Sequence, residues 1–212
     1  MATIFDSTAK RVLDLFCGGG GAAMGLHRAW PEAEIIGVDI KEQPRYPFTF
    51  VLGDAMTYPL EGFDFIWASP PCEHYSQCTP KKYRGNHPDL IGPTRERLKA
   101  VGVPYCIENV PSARKMLLDP IMLCGSMFGL RVKRHRFFEL GGFTALTPAC
   151  KHDFKPVLIT GTHRRTYEPR YEYSAQDCRD AADLQWMRRI DMDKAIPPAF
   201  SQFIANQVSF AV

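Results

Sequence analysis

The first apolar run, RVLDLF from Arg11, is short and rich in strand formers. It stops at the glycine cluster Gly18 to Gly21, ahead of AAMGLHRAW, which reads as a helix. Strand, glycine turn and helix follow in that order. Four more apolar runs end in polar residues: EIIGVD at Asp39, FTFVLGD at Asp54, FDFIWAS before Pro70-Pro71-Cys72, and PYCIEN at Glu108-Asn109. Near-continuous apolar strands separated by helical or loop segments predict an α/β, doubly wound fold with a mostly parallel sheet covered on both faces. Ligands bind beyond the carboxyl ends of such strands, so the polar ends are expected to converge on one crevice. Helices are predicted over 21–30, 89–100, 175–187 and 198–208. In the last of these, Phe200, Phe203, Ile204 and Val208 share a face and Pro198 suits a first turn. The polar stretch Cys72 to His87 is longer than ordinary connections and predicts a binding loop. From Phe143 to Ser174 the chain turns irregular, with one strand expected at KPVLIT, and reads as a small appended lobe.

The 212 residues, 45% apolar and 23% charged, suit a globular chain and exclude collagen, coiled coil and disorder. No window is apolar enough for a membrane span and the N-terminus lacks the pattern of a signal peptide, so a soluble, cytoplasmic protein is expected. The seven cysteines are odd in number and unpaired in spacing, which predicts reduced thiols. Net charge is only +3, but basic residues gather with aromatics: Lys81, Lys82, Tyr83 and Arg84, then Arg131, Lys133, Arg134, Arg136, Phe137 and Phe138, then Arg164, Arg165 and Tyr167. That mixture suits phosphates and bases; balanced, solvated faces are the plainer reading.

Asp14-Leu15-Phe16-Cys17-Gly18-Gly19-Gly20 places backbone amides at a helix N-terminus, and Asp39 lies one βα unit onward, where a carboxylate can take ribose hydroxyls. A nucleoside cofactor is implied, although plain turn chemistry gives similar glycine runs. Ser69-Pro70-Pro71-Cys72 is sharper. Two prolines fix the backbone and remove two amide donors, presenting Cys72 on a rigid turn, as suits a nucleophile. Burial as a small apolar residue fits Cys106 and Cys124 better.

Taken together, the motifs resemble the DNA (cytosine-5) methyltransferases, in the family's order. DLFCGGGG resembles their cofactor loop; GVDI and GDA resemble the strand ends holding ribose and adenine, implying contacts from Asp39, Ile40, Asp54 and Ala55. SPPCEHYS resembles the nucleophile loop, IENV the base-binding strand end, RVKRHRFFEL the Arg-x-Arg segment and DKAIPPAFSQFIANQV the final motif. The resemblance covers about residues 10–142 and 183–208. It implies a Rossmann-like fold of the S-adenosyl-methionine-dependent methyltransferase type, with residues 1–142 and 183–212 as the catalytic and cofactor-binding domain. Residues 143–182 would form a reduced target-recognition lobe. Such short members are common in phage genomes. It further implies S-adenosyl-methionine as donor, held by Asp14, Phe16, Cys17, Gly18, Gly19, Gly20 and Pro70 with Lys194 and Ala195, and a monomer acting on double-stranded DNA.

The residue types suit that chemistry. Carbon 5 of cytosine becomes nucleophilic only after a thiolate adds at carbon 6, the part implied for Cys72. Glu108 would share a proton with ring nitrogen 3, and Arg134 and Arg136, two apart on an expected strand, would hold the base carbonyl and a phosphate. A duplex base must be flipped out, and the loop 73–87 would close over it, with Ser76 matching a family serine that contacts phosphate and with Lys81, Lys82 and Arg84. Arg164 and Arg165 are further candidate DNA contacts.

Two positions depart from the family. Glu73 stands where many members have glutamine. Lys194 stands where a neutral residue, often asparagine, is usual near the donor sulfonium; an ammonium there would suit carboxy-S-adenosyl-methionine and carboxymethyl transfer, unless it simply faces solvent. Cys150, His152, His163 and Cys178 have none of the usual zinc spacings, so no metal is expected. Rival readings are an exocyclic-amine methyltransferase, which needs no thiol, an RNA cytosine-5 enzyme with the same core motifs, and a non-enzymatic DNA-binding module. The last gives no reason for Cys72, Glu108 and the cofactor loop to occur together.

Overall fold

A computed structural model describes residues 5–6, 11–76, 79–159 and 173–211. The expected strands form: β2 (Arg11–Leu15), β3 (Glu34–Asp39), β4 (Thr49–Leu52), β5 (Phe65–Ala68) and β6 (Tyr105–Asn109). They align in parallel within a sheet ordered β4-β3-β2-β5-β6-β8-β7, completed by β7 (Ile121–Leu123) and β8 (Arg136–Gly141). A two-stranded pairing of β1 (Phe5–Asp6) with β9 (Phe210–Ala211) stands apart from it. The chain walks from β2 outward to β4, then returns to place β5 on the other side of β2, so the strand order reverses beside the centre of the sheet. A crevice opens at such a reversal.

β8 runs antiparallel to both β6 and β7, with Asn109 opposite Phe137 and Leu123 opposite Arg136. The start of β8 therefore lies at the edge where its neighbours end. The basic segment leading into it is thereby delivered beside Glu108. Arg95, on α3 (Ile91–Val101), anchors β8 through two hydrogen bonds of 2.7 and 2.6 Å to the buried Glu139 carboxylate. Such a bidentate pair satisfies both charges at once.

Apolar cores lie on both faces of the sheet. One holds Leu13, Leu15, Ile66, Ile107 and Leu98; the other holds Val12, Leu26, Trp30, Phe65 and Trp67 with Phe200 and Ile204. The second is closed by α1 (Gly21–Ala29) lying against α5 (Pro198–Ala205). Glycine makes that approach possible: a Cβ on Gly25 would lie 2.0 Å from the Pro198 carbonyl oxygen, and one on Gly21 2.3 Å from that of Ile196. Ser201 Oγ completes the contact by donating to the Ala22 carbonyl at 2.7 Å.

The differences from expectation have local causes. The helix expected over 175–187 ends as α4 (Ala175–Ala182), because Asp183 takes a left-handed conformation at φ 58°. Helix α3 starts two residues later than expected, at Ile91, where Asp89 Oδ1 accepts from the Ile91 amide at 3.3 Å. No strand forms at KPVLI, where Val157 N donates to the Arg131 carbonyl at 2.7 Å, and Thr160 lies outside the described residues. Arg134 is not on a strand, since β8 begins at Arg136. Val157, Ile159, Cys178 and Ala181, from the segment expected to form an appended lobe, share one core with Val132, Leu184, Met187 and Met192 from outside it. Among the described residues no helix is long and apolar enough to cross a membrane.

Substituting Gly25→Ala is expected to destabilise the protein by about 1–3 kcal/mol through overpacking of α1 against α5. Gly92→Ala, whose Cβ would meet nothing within 4 Å, leaves the thermal midpoint unchanged or raises it. Paired thermal melts measure the contrast.

Candidate active site

The glycine turn after β2 is shaped by unusual backbone angles. Phe16, Gly18 and Gly20 have φ of 57, 48 and 81°, and only glycine adopts the last two without steric cost. Phe16, a non-glycine in that region, is a strained residue beside a ligand-binding edge. Its half-buried side chain packs against the core that holds Leu13 and Leu15, and Cys17 is buried. The turn is braced from several sides. Asp39 Oδ2 accepts from Gly18 N at 3.0 Å, and Trp186 Nε1 donates to the Gly19 carbonyl at 2.8 Å. Met187 is buried and packs against Gly19, and the half-buried Trp186 is a brace that no motif disclosed.

Beneath the turn, Asp14 is wholly buried and accepts from the Tyr46 hydroxyl at 3.2 Å. Burial lifts its carboxyl well above the usual range, and its Oδ1 is buried without a partner. An orphaned acceptor below a glycine turn, with open space where a Gly18 side chain would be, fits a nucleoside donor with a cationic arm. Ile40 is 72% exposed at the end of β3 and offers an apolar face for a base. Asp54 is exposed and caps the following turn by accepting from Met56 N at 2.8 Å. Ala55 has its side chain buried in the core and its carbonyl accepting from Arg97.

The second half of the site lies beyond β5 and β6. Asn109 Nδ2 donates to the Pro70 carbonyl at 2.9 Å, which fixes the Pro-Pro-Cys turn to the neighbouring strand. After it the chain coils tightly, with Tyr75 N and Ser76 N both donating to the Cys72 carbonyl. Cys72 is half-buried. Burial pushes its thiol above the ordinary value, Glu73 and Glu108 push it further, and Arg136 and Lys194 pull it back. The cations that draw the thiol down are thus Arg136 and Lys194.

Glu108 is buried and pairs with Arg136 Nε at 2.9 Å. Burial raises its carboxyl, while Arg136, Arg134 and the Ser69 hydroxyl draw part of that shift back. Ser69 is itself held by Trp67 Nε1 at 2.9 Å. Arg134 is desolvated, and burial together with neighbouring Arg136 lowers it to about 9. One of its amino groups donates to the Asp193 carbonyl, and its Nε is buried without a partner. That free donor beside Glu108 and Cys72 can take a carbonyl oxygen.

Lys194, at the entrance to α5, is bonded to Glu73. Burial acts to lower its ammonium, but Glu73, Cys72 and Asp39 outweigh it and hold it above the ordinary value. Burial likewise acts to raise Glu73, and Lys194 holds it below the usual range. Ala195 is half-buried next to it.

On the loop after Cys72, α2 (Lys81–Arg84) exposes Lys81 and Lys82, with the Lys82 ammonium 4.7 Å from the centre of the Tyr83 ring. Arg84 is partly spent within the loop, donating from Nε to Thr79 O at 3.1 Å. Ser76 is half-buried beside Cys72, and Arg164 and Arg165 lie outside the described residues.

The sulfur and imidazole groups sort differently from the sequence expectation. Cys178 is buried in the core of the small lobe and His163 lies outside the described residues. Cys150 and His152 meet Cys124 and His135 instead, the ligand atoms of all four lying within 4.8 Å of one another.

No protein-family model and no curated protein matches this sequence. Among solved structures, the chain is similar to the methyltransferase EhMeth of Entamoeba histolytica at 18% identity and a TM-score of 0.50, over 71% of this chain and 58% of that one. It therefore spans a little over half the length of that protein. It is similar also to a 1,6-didemethyltoxoflavin-N1-methyltransferase of Burkholderia thailandensis (16% identity, TM-score 0.42, 63% of this chain and 70% of that one). An RNA methyltransferase of Salinibacter ruber aligns at 13% identity and a TM-score of 0.40, over 62% and 80% of the two chains. The fold is the Rossmann-like fold of the S-adenosyl-methionine-dependent methyltransferases.

Because its surroundings favour the neutral thiol, Cys72 is expected to alkylate with a pH midpoint above that of an ordinary cysteine. Glu73→Gln moves that midpoint down by removing a negative neighbour. Iodoacetamide labelling followed by peptide mass spectrometry across pH 7 to about 10 reads both effects.

Proposed function

We propose that the chain transfers a methyl group from S-adenosyl-methionine to carbon 5 of cytosine in DNA. The observation that carries this reading is the grouping of Cys72, on its proline-fixed turn, with a buried Glu108 held by Arg136 and with the unpartnered Nε of Arg134. A thiol, a proton-bearing carboxyl and two guanidinium groups are what addition to a pyrimidine ring requires. The donor would sit between the glycine turn and Asp39, over the orphaned Asp14 Oδ1, and it supplies the electrophilic methyl group.

The residues of the chain do the rest. Cys72 gives its proton to water and adds as the thiolate to carbon 6 of a flipped cytosine. Glu108, with its carboxyl raised by burial, lends a proton to ring nitrogen 3, which takes up the electron pair that would otherwise leave the ring anionic. Arg134 Nε meets the base carbonyl, and Arg136 keeps Glu108 oriented. Once carbon 5 has accepted the methyl group, ring nitrogen 3 returns its proton to Glu108, the carbon-5 proton passes to water, and the elimination expels the Cys72 thiolate and restores the aromatic ring. The thiol of the free protein is raised, so the positive charge of an arriving donor would favour its ionisation. Lys81, Lys82 and Tyr83 on the exposed α2 provide charge and a stacking face for the nucleic acid.

A second reading rests on Lys194. It lies close enough to Cys72 and Asp39 for their charges to act on it, so it borders the site even though much of its surface is exposed. If Lys194 exchanged Glu73 for a carboxylate on the donor, carboxymethyl transfer from carboxy-S-adenosyl-methionine would follow. The Glu73 pairing favours the methyl reading, because it neutralises the ammonium beside the expected sulfonium.

Mass analysis of nucleosides from duplex DNA incubated with each donor is the test. Methylcytosine is expected from the first donor, abolished in Cys72→Ala and reduced about 10²–10⁴-fold in Glu108→Gln. A duplex bearing 5-fluorocytosine should trap a covalent adduct at Cys72, since fluorine cannot leave as the proton does. Product on RNA alone, or none on either nucleic acid, would refute the DNA reading. For the donor, Glu73→Gln is expected to shift preference toward the carboxylated form by freeing Lys194, while Lys194→Asn leaves methyl transfer in place.

A further inference from the structure

We infer that Cys124, His135, Cys150 and His152 form a closed, structural zinc site. The four come from two distant parts of the chain. Cys124 follows β7 and His135 precedes β8, and since Leu123 pairs with Arg136 across those strands the two residues flank the same end of the sheet. Cys150 and His152 come from the segment after β8, which has no regular secondary structure.

Their reactive atoms already face inward. Cys150 Sγ lies 2.8 Å from His152 Nε2 and 3.5 Å from His135 Nε2, and Cys124 Sγ lies 3.3 Å from His152 Nε2. A tetrahedral zinc ion with ordinary Zn–S and Zn–N bonds has S···N edges of about 3.6 Å, so occupancy needs only small adjustments. Two thiolates balance the charge of the ion, and two imidazoles complete the Cys2His2 set typical of structural sites. The surroundings suit thiolates: Met127 N donates to the Cys124 sulfur, and Ser126 Oγ lies 3.2 Å from Cys124 Sγ and 3.6 Å from Cys150 Sγ. Lys151 N donates in turn to Ser126 Oγ at 3.2 Å. The Cys124 thiol also donates to the Lys133 carbonyl at 2.7 Å, and that proton must leave and the contact lengthen when metal binds.

The role is structural because all four positions are filled by protein, leaving none for water or substrate. What it would hold is the irregular segment 143–159 against the sheet edge. His135 sits between Arg134 and Arg136, which face Glu108, so the metal would clamp the back of the peptide that presents them. This inference stands apart from the choice of substrate or donor.

The test is zinc content by mass spectrometry of protein expressed and purified under reducing conditions. It is followed by removal of metal with a chelator and titration with zinc(II) or cobalt(II). One zinc per chain is expected, as are the visible bands of a tetrahedral cobalt thiolate. His152→Ala and Cys150→Ser, placed in an irregular and partly exposed segment, should weaken zinc binding at least about hundredfold with circular dichroism unchanged. Cys178→Ser should bind as the parent does. Absence of cobalt absorption, equal binding by the ligand variants, or a Cys124–Cys150 disulfide in the reduced preparation would overturn the site.

Discussion

A carboxylate cannot be left alone inside a sheet, and Glu108 is there because Arg136 meets it at 2.9 Å from the adjacent, reversed strand. Much of the site follows from that pair. Were β8 parallel to β6, its basic lead-in would lie at the far end of the sheet and Glu108 would be an uncompensated buried charge. The antiparallel reversal places Arg134, His135 and Arg136 at the edge where β2, β3, β5 and β6 present the glycine turn, Asp39, Cys72 and Glu108. Burial that would be a liability for stability is what lifts the Glu108 carboxyl above its ordinary value, against the pull of Arg136 and Arg134.

The other half of the arrangement is a close contact between distant segments. Gly21 and Gly25 let α5 and its lead-in lie directly on α1, so the last stretch of the chain becomes part of the wall of the glycine turn. Trp186 adds a hydrogen bond to the turn, and Lys194 is carried over to Glu73. Glu73 and Lys194 each depart singly from the motifs that the sequence resembles. In the structure they are partners, and the charge that one introduces is cancelled by the other.

The strands and the polar residues at their ends were legible because apolar runs ending in Asp39, Asp54, Cys72 and Glu108 report burial and edge position directly. Helix ends were less so: the stop at Asp183 depends on a left-handed residue that composition does not mark. Contacts between segments were out of reach. Nothing in the spacing of Asn109, Trp186 or Tyr46 announces that they steady Pro70, Gly19 and Asp14, because each acts through one hydrogen bond across the fold. The sulfur and imidazole cluster failed for a related reason. Reading along the chain joined Cys150 and His152 to later residues, whereas strand pairing joins them to earlier ones.

The brace on the glycine turn has an optical side. Of the three tryptophans, Trp30 and Trp67 are packed in the core, and only Trp186 holds its indole against the turn where the donor is expected. A shift of that turn would be felt by the Trp186 ring directly, so the chain carries a native fluorescent reporter of its glycine turn.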